Sequence, residues 1–129
     1  MADFLTKMTE LLTALAVSTA DVKRGPLTDD AADETALIDY TGAGPELTFC
    51  GVNTRNFRLA IQARRANRLL ACARVEAIHL ALIGAATPVS LTGYVVQEIV
   101  PQGEPSWLDE DANGRTVYTA SYEIRVKGP

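Results

Sequence analysis

The sequence predicts an α+β fold: a mostly antiparallel sheet of about five strands with two helices packed on one face. Three observations predict it. Apolar residues recur at helical spacing near the start, a second helical stripe lies mid-chain, and strictly alternating segments flank that second stripe.

Residues Ala2 to Val17 place Phe4, Leu5, Met8, Leu11, Leu12 and Leu15 at three-and-four spacing, with Asp3 as cap and dipole partner, which predicts an amphipathic helix. Ser18 to Glu34 turns polar around Gly25 and Pro26 and reads as a surface loop. Thr35 to Tyr40 is a short apolar run stopped by Gly42, Gly44 and Pro45, a first strand. Asn56 to Arg64 alternates Phe57, Leu59, Ile61 and Ala63 against Arg58, Ala60, Gln62 and Arg64, a half-buried strand. Asn67 to Ile83 carries Leu70, Ala73, Ala77, Leu80 and Ala81 as a helical stripe before Gly84 and Pro88. Its small alanines predict a close approach to the sheet and make it the better buried helix.

Val89 to Leu91 and Tyr94 to Val100 form a hairpin across Thr92 and Gly93. Gln102 to Gly114 reads as a loop with Trp107 and an acidic run, closed by Asn113-Gly114. Arg115 to Val126 then alternates Tyr118, Ala120, Tyr122, Ile124 and Val126 against polar partners, a long strand with one apolar face. Leu59, Leu70 and Tyr122 are expected in the core.

At 129 residues and 47% hydrophobic, the chain affords one core, so residues 1–129 are expected to form a single domain. A net charge of -4 disfavours coating of a phosphate backbone, and specific DNA binding is not expected. The start lacks the features of a secretory signal, and the longest apolar stretch, Leu80 to Ala86, is far too short to span a bilayer. Two cysteines, Cys50 and Cys72, indicate no disulfide framework and fit a reducing setting.

No catalytic motif emerges. Asp109 to Gly114 copies the first half of a calcium loop, but the position that should supply the closing carboxylate is Ala120, inside a strand. Cys72 and His79 stand seven positions apart, roughly 10 Å along a helix, too far for a nucleophile pair. Phosphate loops, dinucleotide turns, serine elbows and zinc-protease helices are missing from the sequence. No enzyme activity, metal site or cofactor is therefore expected.

Arg55, Arg58, Arg64, Arg65, Arg68 and Arg74 concentrate positive charge in an acidic chain, and this cluster reads equally as a partner contact or as solvated strand and helix faces. Trp107, the only tryptophan, either covers the core edge or anchors a neighbour. The candidate assembly residues are Arg58, Arg64, Arg65, Arg68, Trp107, Asp109, Glu110 and Asp111.

The segment order, with Gly42-Ala-Gly-Pro-Glu-Leu47, the run Val52 to Arg64 and the run Asp109 to Arg125, resembles the phage minor capsid or tail terminator proteins. There, a strand with an arginine-framed aromatic precedes a helix and a DxNGR-like turn enters the last strand. The similarity covers nearly the whole chain; the polar segment Ser18 to Glu34 and the loop Gln102 to Gly114 are longer than the pattern. The resemblance implies a structural virion protein at the head-proximal end of the tail. It would form a ring with itself, commonly hexameric, cap the tail tube, end its growth, and join the tail to a neck or head-tail connector protein. DNA would pass through without sequence-specific binding, and no membrane or catalytic residue is implied. Another connector or minor capsid subunit, or a small protein-binding module, stands as the alternative.

Overall fold

The computed structural model describes residues 4–25, 27, 33–39, 54–110 and 114–128. Along the chain run α1 (Phe4–Ala14), β1 (Val22–Arg24), β2 (Glu34–Asp39), β3 (Thr54–Arg65) and α2 (Arg68–Ile83). There follow β4 (Val89–Leu91), β5 (Tyr94–Pro101), β6 (Ser106–Glu110) and β7 (Thr116–Lys127).

The frame is the pairing of β3 with β7, antiparallel from Thr54 opposite Lys127 to Arg65 opposite Thr116. Both are long strands in which every second side chain is apolar, so one face of the pair must be removed from water. Phe57, Leu59, Ile61 and Ala63 of β3 join Tyr118, Ala120, Tyr122, Ile124 and Val126 of β7 in the hydrophobic core. The helices cover that face. Phe4 of α1 stacks on Phe57, with ring centroids 4.4 Å apart and 13° between planes. Lys7 and Glu10 of α1 clasp the turn between β4 and β5: Lys7 Nζ donates to the Thr92 carbonyl at 2.8 Å, and the Thr92 N–H donates to Glu10 at 2.7 Å.

The expected sheet of about five antiparallel strands is corrected to a mixed sheet of seven strands, in the order β1-β2-β3-β7-β5-β4 with β6 also on β7. β1 runs parallel to β2, with Val22 opposite Thr35, and every other pairing is antiparallel. Two strands escaped the sequence for physical reasons. β1 has only three residues, too few to show a period, and lies in a polar segment. β6 is exposed at all five positions, so burial imposes no alternation on it. β5 and β6 follow one another along the same side of β7.

A second correction concerns α2. Asn67 caps it as a side-chain acceptor for the Leu70 N–H, and Gly84 ends it where an added Cβ would stand 2.9 Å from the Leu80 carbonyl oxygen. The residues turned inward, however, are Ala71, Val75, Ile78, His79 and Leu82. The expected inward stripe faces out: Leu70 is 50% and Leu80 58% exposed, with Ala73 and Ala77 beside them. The helix is apolar on nearly every side, so two stripes satisfy the same spacing. The stripe with Val75, Ile78 and Leu82 brings more volume to the core than one built on alanines. α1, with Phe4, Leu5, Met8, Leu11 and Leu12 buried among 11 residues, is the better buried helix, against the expectation.

Candidate assembly surfaces

The arginine cluster divides once it is folded. Arg64, at the end of β3, is buried to 4% exposure, and its Nη2 donates to Glu34 Oε2 at 2.7 Å; Lys23 approaches the other Glu34 oxygen at 3.8 Å. Arg65 ion-pairs Asp21 and donates to the Glu34 carbonyl at 3.0 Å. Arg74 of α2 reaches the same carboxylate, with Nη2 to Asp21 Oδ1 at 2.8 Å and to the Ser18 carbonyl at 2.6 Å. These three arginines tie the β1 region to the end of β3 and to α2. They act within the chain, where spacing alone showed only a local excess of charge. Asp21 and Glu34 are the intrachain partners of these arginines that the sequence reading missed. The sole hint was that the polar segment from Ser18 carries carboxylates, and nothing in the spacing says which of them folds back.

Asp21 gathers three donors. Burial by itself would raise its carboxyl, but the Thr35 hydroxyl at 2.7 Å, the Arg74 and Arg65 charges and the Arg65 hydrogen bond outweigh it and hold the group below the ordinary aspartate range. A depressed folded value means a contribution to stability that is complete above the unfolded value near about 3.9 and is lost as pH falls through the lower folded value. Melting temperature followed through that acid window should therefore fall less steeply for Asp21→Asn than for the wild type. Parallel curves would show that the clasp adds nothing.

The remaining candidates face solvent. Arg58 is exposed on the sheet face opposite the helices, across from Glu123. Arg68, at the start of α2, is exposed and donates from Nε to the Tyr118 hydroxyl at 3.0 Å. Trp107, in β6, stands opposite the core residue Tyr118 and is 49% exposed, so about half of its surface is covered at the edge of the core and the rest is open to solvent. Leu108, Asp109 and Glu110 continue the strand in the open. Asp111 lies outside the described residues, as do Asn113 and the segment from Gly42 to Leu47.

A cleft of about 390 Å³ opens between α2 and the chain entering β6, lined by Cys72, Glu76, His79, Leu80, Ile83, Glu104 and Pro105. At its floor the buried His79 shares a 2.7 Å hydrogen bond through Nδ1 with the Tyr122 hydroxyl, and Nε2 stands 3.6 Å from Glu104. Burial, helped by the Glu104 charge, pushes the Tyr122 phenol far above its ordinary value, so it stays a neutral hydroxyl. Cys72 Sγ meets Glu76 at 4.0 Å and not His79, and the imidazole is held in place by the Tyr122 phenol. Among the described residues no group of three or more His, Cys, Asp or Glu is placed to hold a metal ion. No helix among them is long and apolar enough to cross a membrane.

Comparison with known proteins adds one finding. A family model described as bacteriophage tail terminator protein matches residues 18–127, which takes in every strand and α2 and leaves α1 outside. No curated protein matches the chain.

Proposed function

The chain belongs to the bacteriophage tail terminator family, and from that premise we propose that it is a structural virion subunit that forms a ring, caps the head-proximal end of the tail tube, stops tail elongation and joins the tail to a head-tail connector. The observation that carries this reading is the family match over residues 18–127. The geometry supports it on two counts. The polar clusters within reach of one another are consumed in holding the fold together, as with Asp21, Arg65 and Arg74. What is left on the surface, Arg68, Trp107, Asp109 and Glu110, has the chemistry of a protein contact: an aromatic anchor with charges of both signs around it.

In this reading the whole chain, 1–129, acts as one tail terminator domain without enzymatic activity. Its partners are other copies of itself, the tail tube protein and a neck protein, and DNA passes the ring without being read. Trp107→Ala and Arg68→Glu are the informative variants. Each should change folding stability by less than about 1 kcal/mol, because both side chains are exposed. Each should impair capping, seen as tails of irregular length in an assembly reaction. Variants that melt like the wild type and still yield tails of defined length would show these side chains to be plain solvated surface.

A further inference from the structure

The cleft of about 390 Å³ between α2 and the chain entering β6 joins apolar walls to carboxylates. Leu80, 58% exposed, Ile83, 45% exposed, and Pro105 line it beside Glu76 and Glu104. Elsewhere carboxylates find cations within the chain: Glu10 has Lys7, Asp21 has Arg65 and Arg74, Glu34 has Arg64, and Glu98 has Arg125. At the cleft, Glu76 meets the Cys72 thiol and Glu104 the His79 imidazole, and neither reaches a lysine or arginine among the described residues.

One of these carboxylates is positioned by buried groups. His79, 4% exposed, turns Nε2 into the cleft, 3.6 Å from Glu104 Oε2, while Nδ1 shares the 2.7 Å hydrogen bond with the buried Tyr122 hydroxyl. Tyr122 stays a neutral phenol and so keeps a proton to donate. The tautomer that satisfies both groups has the hydroxyl donating to Nδ1 and the Nε2–H turned toward the carboxylate. A buried hydroxyl and a buried ring therefore aim an N–H at a side chain that is otherwise 90% exposed, which makes the arrangement a built one and not a scatter of surface acids.

We propose that this cleft receives an arginine side chain presented by a partner protein, its guanidinium between Glu76 and Glu104 and its methylene stem against Leu80, Ile83 and Pro105. Charge and shape choose that occupant. Anionic groups would be repelled, and a purely apolar segment would cover two carboxylates and leave both without a cation. A side chain with a long apolar stem and a charged head matches apolar walls that carry carboxylates. The planar fork of arginine donates in several directions at once and is more weakly hydrated than an ammonium, so it suits two carboxylates on different segments. The proposal concerns a single chain and does not depend on the ring reading.

The test is a titration of the isotopically labelled full chain, followed by two-dimensional NMR, with N-acetyl-arginine amide and with N-acetyl-citrulline amide, which keeps the shape and lacks the charge. Saturable shifts confined to Glu76, Leu80, Ile83, Glu104 and their neighbours are expected, with citrulline at least about fivefold weaker. Glu76→Gln and Glu104→Gln should each weaken arginine binding at least about threefold at an unchanged melting temperature, since both side chains are exposed. Glu98→Gln, whose carboxylate stands by Arg125 outside the cleft, should leave binding as it was. Tyr122→Phe keeps the ring and removes the hydroxyl that orients His79. It should weaken arginine and leave citrulline unchanged, a charge-specific loss that a packing defect does not produce.

No saturable response, equal binding of citrulline, or binding untouched by both glutamine variants at the cleft overturns the proposal. Tail tubes do not enter the experiment, so any of those results leaves the ring reading where it stands, and a chain that fails to form a ring leaves the cleft in place.

Discussion

Phe57→Ala should lower folding stability by about 3 to 5 kcal/mol, the largest loss expected from a single core substitution in this chain. Phe57 is fully buried in β3, and it is the ring on which Phe4 stacks. Truncation removes apolar area from the core and leaves a cavity under α1. The stacked pair also loses its geometric preference, worth roughly 0.5 to 1.5 kcal/mol beyond burial. Urea unfolding gives the number. The comparison that sharpens it is Leu70→Ala, a leucine predicted from spacing to be core and found half exposed, which should cost no more than about 0.5 kcal/mol. Equal losses at the two positions would mean that α2 is rotated the other way.

Arg64→Met should cost about 3 kcal/mol, although methionine fills much of the same space. The substitution leaves the Glu34 carboxylate, itself buried to 7% exposure, without the guanidinium at 2.7 Å. A buried carboxylate that loses this partner carries more of its desolvation cost. Lys23 at 3.8 Å recovers only part of it. The joint change Glu34→Gln, Arg64→Met should regain a large share of the loss, because removing both charges together leaves neither stranded. Chemical denaturation of the two single variants and the double completes the cycle. Losses that simply add would show that the pair is not coupled.

How far the sequence revealed the fold depended on whether burial imposed a period. The spacing of α1, β3 and β7 gave their type and their core-facing rows, while Ala60 and Arg64 of β3 and Val117 of β7, read as the outward row, are buried as well. The turn at Thr92 and Gly93 was legible too, because a two-residue connection with glycine at φ 78° is a local demand of the chain. β1 and β6 carry no such signature, and the parallel pairing of β1 with β2 is a long-range event that no local pattern records. α2 was legible as a helix and illegible as to its face, since it offers apolar residues on both.

The candidate surfaces were mixed in the same way. Trp107, Arg58 and Arg68 were singled out by residue type and do face solvent. Arg64 and Arg65 belonged to the same run of charge, but Glu34 and Asp21 draw them into the fold from more than twenty residues away in the sequence. The outward apolar strip of α2 was hidden by the assumption that apolar residues at helical spacing point inward. On the proposed assembly reading that assumption fails, because a subunit keeps part of its apolar surface for its neighbours.

The most direct test of the proposed role is the number of copies held at the end of a tail tube. Purified tubes incubated with an excess of the chain, washed and examined by mass and by electron microscopy, should carry a closed ring of several copies at one end only, and tubes so treated should no longer lengthen when tube protein is added. Single copies scattered along the tube, or tubes that keep growing with the chain bound, would contradict the account.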